Sequence, residues 1–146
     1  MCIRDRIKTY GSDCVFAEEK ARELSYENNQ IYISPYNDMD IIEGQGTIAS
    51  EIANQTEKPL DSIIISVGGG GLISGVSTFL KSIWPKIHII GCSPKNSAVM
   101  LESIKGRKIL DLESKKTISD GTAGGVEKNS ITFPLCKEYI LSLIHI

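Results

Sequence analysis

SVGGGGLISG, residues 66 to 75, follows the apolar run Ile63, Ile64 and Ile65 and leads into Leu72, Val76, Phe79, Leu80 and Ile83, which are spaced as one face of a helix. A strand therefore feeds a glycine turn, and the turn opens a helix. Four consecutive glycines (Gly68, Gly69, Gly70 and Gly71) would weaken any helix or strand that contained them. They suit a place where the backbone bends sharply or something approaches it closely. The first-turn N–H groups of a helix have no internal partner and carry the positive end of its dipole, so such a turn can hold a phosphate. Tight packing of helix on sheet also selects glycine, so a purely structural reading stays open. No Lys-Ser or Lys-Thr follows the glycines, and they are contiguous rather than spaced as Gly-x-Gly-x-x-Gly. The turn is thus neither a Walker-type loop nor a dinucleotide fingerprint.

Composition narrows the partner. A chain of 146 residues with 41% hydrophobic residues suits one packed core. A net charge of −2 offers no basic face to nucleic acid or anionic lipid, which points to a small molecule. No apolar run approaches the ~18 residues needed to cross a bilayer, and MCIRDR lacks the apolar centre of a signal peptide. The expectation is a cytoplasmic protein. Cys2, Cys14, Cys92 and Cys136 show no paired spacing, and only His88 and His145 could join them, so reduced thiols are expected rather than a zinc site or disulfides.

Outward from the glycine turn, strand and helix alternate. Ile7 to Tyr10 reads as the end of a strand, and Ser12 or Asp13 can cap a helix whose buried face is Cys14, Ala17, Ala21 and Leu24. Glu18, Glu19, Lys20, Arg22 and Glu23 read as its solvated face. Ile31 to Ser34 reads as a short strand. Ser34 to Asp40 is a turn with Asn37, Asp38 or Asp40 as cap, and Ile41, Ile48, Ala49, Ile52 and Ala53 form the stripe of a helix running to Thr56. Gly44 and Gly46 inside that helix cost about 2 kcal/mol together against alanine, which calls for close approach of another backbone or of a ligand. Pro85 ends the helix after the glycine turn. Lys86 to Ser93 is a strand closed by Pro94, and Ala98, Leu101 and Ile104 mark a helix closed by Gly106. The loop TISDGTAGG, residues 117 to 125, precedes a helix from Ser130 to Ile140. This order implies an α/β fold, a three-layer αβα arrangement with a mostly parallel sheet and right-handed crossovers. Ligands of such sheets lie outside the carboxyl ends of the strands.

In order, SPYNDMDIIEGQGTIASEI, SVGGGGLISG and TISDGTAGG resemble the threonine/serine dehydratases and serine racemases, pyridoxal-phosphate enzymes of fold type II. The resemblance spans about 130 residues. It implies that Gly68, Gly69, Gly70, Gly71 and Leu72 bind the phosphate of pyridoxal 5'-phosphate, and that Asp120 and Gly121 lie beside its ring. Tyr36 matches a position facing the substrate cleft, with packing an open alternative; for Asp120 the alternative is a cap or turn. The implied activity is an ammonia-lyase converting L-threonine or L-serine to a 2-oxo acid and ammonia, with serine racemisation as a variant. The full-length protein is then expected to be a homo-oligomer. The alternative class is a non-catalytic domain holding a phosphorylated metabolite or nucleotide at the same turn.

The chain also departs from the family pattern. The lysine that links to the cofactor and the Ser-x-Gly-Asn substrate loop stand upstream in the family and are absent here, while the serine that meets the pyridine nitrogen falls beyond Ile140. Lys8 is nearest by position but stands in no matching motif. No catalytic residue is therefore expected in this chain, which alone should be inactive. Ser93 and Val99 stand near the places where cation-binding relatives carry carboxylates, so no metal site is expected. Residues 1–35 read as the end of a smaller domain and 36–146 as a truncated cofactor-binding domain. MCIRDR and LSLIHI fit neither neighbour and read as foreign junction sequence.

Overall fold

The structure, a computed structural model, describes residues 7–146. Cys2 and the opening hexapeptide lie outside the described residues. The chain runs α1 (Cys14–Glu27), α2 (Met39–Gln55), β1 (Ser62–Ser66), α3 (Gly71–Ile83), β2 (His88–Ser93), α4 (Val99–Gly106), α5 (Thr132–Tyr139) and β3 (Ser142–His145). β1, β2 and β3 form a parallel sheet in that order, with Ile64 opposite Ile90 and Ile90 opposite Ser142.

The α/β architecture with a parallel sheet follows the expectation, and the caps resolve its alternatives. Asp13 caps α1 by accepting the Val15 N–H at 3.1 Å, and Asp38 caps α2 by accepting that of Asp40 at 2.9 Å. α3 stops at Ile83, two residues before Pro85, because a proline disfavours helical backbone in the residue that precedes it. Gly106 is the last residue of α4, and the left-handed position falls on Arg107 at φ +57°.

Parallel strands laid down in sequential order with right-handed crossovers carry their connecting helices on one face. The burial agrees. Ile65, Ile89, Gly91 and Ser93 share the buried face, where they join Val67, Leu80, Met100 and Leu101 in one core. The opposite face carries Ile64, which is 62% exposed. The second helical layer of a three-layer fold is thus not supplied by the described residues.

Several local expectations shift. Ile7 to Tyr10 and Ile31 to Ser34 form no strand, and Ile7, Ile31 and Ile33 stand exposed. A strand needs a partner edge and an apolar face to cover, and neither segment has either among the described residues. The closing hexapeptide, which seemed to continue no pattern, supplies β3 beside β2. On α2 the buried positions are Ile42 and Ala49, while Ile48 faces outward, because the helix turns its small residues toward α3. A Cβ on Gly75 of α3 would strike the Ile42 carbonyl and lie 2.8 Å from the Gly46 nitrogen, whereas one on Gly44 would meet nothing within 4 Å. Close backbone approach therefore demands glycine at Gly75; a Cβ on Gly46 would come within only 3.4 Å of the Gly75 carbonyl, an ordinary contact, and sterics leave Gly44 unexplained.

Gly75→Ala is expected to lower stability by about 1–3 kcal/mol through overpacking. Gly44→Ala should raise it by about 0.5–1 kcal/mol. Urea denaturation of the two variants compares them directly.

Candidate functional site

β1 ends at Ser66, and the chain then bends through Gly68 to Gly70 before α3 begins at Gly71. Gly70 adopts φ +91°, a left-handed conformation that disfavours any residue with a side chain. The bend is closely packed: a Cβ on Gly68 would lie 3.0 Å from the Thr122 carbonyl, and one on Gly69 would fall inside the Tyr36 ring. Packing accordingly selects these glycines, as the structural reading of the turn held. It leaves their N–H groups free. Those of Gly69, Gly70, Gly71 and Leu72 meet no acceptor among the described residues; the first helical bond of α3 runs from Ser74 to the Gly70 carbonyl at 3.0 Å. The bend lines a cavity of about 550 Å³. Unpaired donors at the positive end of a 13-residue helix, beside open volume, can donate to an anionic oxygen.

The other walls come from distant parts of the sequence. Asp120 and Gly121, exposed on a single 3-10 turn, line the same cavity as the glycines and Leu72. Tyr36 also lines the cavity but is a buried residue. Its ring lies over the glycine bend, and its hydroxyl donates to Glu18 Oε2 at 3.2 Å while accepting the Glu127 N–H at 2.9 Å. Tyr36 is thus both packed in the core and a border of the cavity. Burial pushes the Tyr36 phenol well above its ordinary range, so it remains a donor.

Glu18 overturns its reading as part of a solvated face. It lines the cavity, and burial, with the charges of Glu127 and Asp13 nearby, raises its carboxyl to about 7 against the Tyr36 hydrogen bond and the charge of Arg22. On α1 only Ser25 is buried; Glu18 and Arg22 are half-buried alongside Ala17 and Leu24, while Cys14 and Ala21 of the expected buried face are exposed. Arg22 Nη2 donates at 2.9 Å to both carboxylate oxygens of Glu127, and Asn37 Nδ2 donates to Oε2 of the same group. Asn37 Oδ1 accepts the Ile131 N–H at 2.9 Å. Asp13, besides capping α1, accepts the Gly125 N–H at 2.9 Å. The loop after Gly121 is thus tied to α1 by charged groups far apart in sequence. Charged residues one turn apart on α1, Glu18 and Arg22, were the available signal, but the partner of Arg22 lies 105 residues away and gives it no local mark.

Ser93 and Val99 are occupied otherwise. The Ser93 hydroxyl lies within bonding distance of the Val67 carbonyl at 2.9 Å, and Val99 is part of the core. Among the described residues no group of three His, Cys, Asp or Glu side chains is arranged to hold a metal ion, and no helix is long and apolar enough to cross a membrane. Cys14, Cys92 and Cys136 are free thiols.

Comparison with known proteins places this geometry in a family. The family described as "Pyridoxal-phosphate dependent enzyme" matches residues 3–146. The chain belongs to that family. It is 37% identical over 126 residues to the biosynthetic L-threonine dehydratase IlvA of Halalkalibacterium halodurans, covering 86% of this chain and 30% of that protein. The serine racemase of Arabidopsis thaliana is 36% identical over 95% of this chain and 43% of its own length. Among solved structures, the processed threonine deaminase isoform 2 of Solanum lycopersicum superposes with a TM-score of 0.82 at 38% identity, over 94% of this chain and 39% of that one. The chain thus spans less than half the length of these relatives. Pyridoxal phosphate is the cofactor named for the family, and an unpaired amide cluster beside a cavity suits the phosphate it carries.

A carboxyl raised by folding holds a proton that the unfolded chain has released. Glu18 should therefore make the protein less stable as pH rises from about 4.5 to about 7. Glu18→Gln should flatten that decline, read as urea midpoints at pH 5 and pH 7.5.

Proposed function

We propose that this chain is the cofactor-phosphate portion of a cytoplasmic, pyridoxal-phosphate-dependent ammonia-lyase. The complete protein, a homo-oligomer, converts L-threonine or L-serine to a 2-oxo acid and ammonia, with serine racemisation as a variant. The observation that carries this reading is the run of unpaired N–H groups from Gly69 to Leu72 at the cavity edge. Identities of 36–37% to a threonine dehydratase and a serine racemase support the substrate class.

In this assignment Gly68, Gly69, Gly70, Gly71 and Leu72 hold the phosphate through backbone N–H groups, so binding needs no lysine or arginine in the loop. Asp120 and Gly121 would lie beside the ring, and Tyr36 would face the substrate cleft. When bound, pyridoxal phosphate supplies an electron sink that makes the α-proton of an amino acid removable, which permits either loss of a β-hydroxyl or return of a proton to the other face. The amine that anchors the cofactor belongs to the part of the protein outside this chain. Residues 1–35 belong to a smaller domain completed by that part, which accounts for the exposure of Ile7, Ile31 and Ile33.

The complete protein, supplied with L-threonine or L-serine, should release ammonia and a 2-oxo acid in equal amounts; cofactor binding without either product would sink the activity. Gly121 offers a test of the site itself, because a Cβ there meets nothing within 4 Å. Gly121→Asp should weaken pyridoxal phosphate binding about five- to tenfold by placing negative charge in the same cavity, while Gly121→Asn should leave it nearly unchanged. A cofactor titration followed by absorbance measures both.

A further inference from the structure

Two carbonyl oxygens of the glycine bend, those of Gly69 and Gly70, are held by side chains of α5. Thr132 Oγ1 donates to the Gly69 carbonyl at 2.6 Å, and Cys136 Sγ lies 3.8 Å from the Gly70 carbonyl as its thiol donor. Both side chains are fully buried. A hydroxyl has one proton to give, so with the Thr132 proton on Gly69, the 2.6 Å contact between Ser130 Oγ and Thr132 Oγ1 must be a donation from Ser130. The Ser130 oxygen in turn accepts the Thr132 N–H at 3.3 Å. The result is a directed chain, Ser130 to Thr132 to the Gly69 carbonyl, in which each bond polarises the next.

A trans peptide fixes N–H antiparallel to the C=O of the same plane, and the protein has no cis bonds among its described residues. Anchoring the Gly69 carbonyl on α5 therefore turns the Gly70 N–H toward the opposite side, where Gly70 lines the cavity. Gly70 has the backbone freedom to rotate that plane, and at φ +91° it has no side chain to resist. Nothing in the bend itself selects one orientation. Its close neighbours do: a Cβ at Gly70 would lie 2.8 Å from Cys136 Sγ and 3.1 Å from Thr132 Cβ, so α5 is pressed against the bend from behind.

From this geometry we propose that Thr132 is a positioning residue of the anion site. It sets the peptide plane whose N–H faces the phosphate, with Ser130 polarising its hydroxyl and Cys136 securing the next carbonyl. The inference rests on the phosphate assignment made above and extends it to residues that touch no ligand.

The test uses the complete protein and compares its affinity for pyridoxal 5'-phosphate with that for pyridoxal, which lacks the phosphate. Thr132→Val keeps the shape but loses the donor, and should cut the preference for the phosphorylated form about tenfold. Affinity for pyridoxal should stay within about twofold, and the bound phosphorus resonance should move. Thr132→Ser restores the donor and should recover the preference. A general loss of packing would weaken both ligands together and would overturn the positioning role, as would a Thr132→Val protein that kept the full preference. If the unaltered protein bound both forms equally, the phosphate assignment itself would fall, and this inference with it. Should Thr132→Val not fold, Cys136→Ala provides the second variant, with a smaller loss of preference expected and an unchanged preference counting against the role of α5.

Discussion

Backbone polarity at one bend governs the rest of this structure. Four glycines let the chain reverse from β1 into α3 with its N–H groups unpaired, and the neighbours that press on it leave no space for side chains. An unpaired N–H is costly unless water or an anion meets it. The cavity at the carboxyl end of β1 is where such a partner fits, and the bend takes its charge preference from geometry alone. The described cavity walls contribute the carboxyls of Glu18 and Asp120 but no lysine or arginine, so attraction for an anion has to come from the peptide dipoles.

A second constraint ties together the segments around this site. Glu127 is buried: Arg22 Nη2 donates to both of its carboxylate oxygens, the Asn37 amide donates to one of them, and its backbone N–H donates to the Tyr36 hydroxyl. Burying a carboxylate is expensive unless its oxygens are fully engaged, and here they are. Because its partners come from α1 and the 34–37 turn, and Glu127 itself stands in the loop before α5, one charged group ties three segments together. Tyr36 connects this cluster to the glycine bend, since its hydroxyl sits among the charges and its ring on Gly69.

The sheet explains why the chain presents half of an architecture. Sequential strand order and crossover handedness send every connecting helix to one side. The other side keeps Ile64 and Ile144 in contact with solvent. A parallel sheet is ordinarily covered on both faces. The relatives are more than twice as long as this chain, which agrees with a fold whose second layer is encoded elsewhere.

The sequence by itself determined the strand, glycine turn and helix, the parallel α/β class and the family, because these rest on local periodicity and on residues whose backbone needs are unusual. Gly68 to Gly71 could be read as a bend in isolation, and Pro85 and Pro94 as stops. Only the tertiary structure decided what sits around that bend. Glu18 looked like surface because helical periodicity reports which residues share a face, not which face meets the protein, and α1 turns its charged side inward to reach Glu127. Thr132 and Cys136 carried no signal, since a buried hydroxyl aimed at a carbonyl 63 residues away has no local pattern. Gly75 was separable from ligand-binding glycines only once its helix was seen in contact with α2. β3 shows the same limit: four residues without a convincing pattern become a strand because β2 offers them an edge.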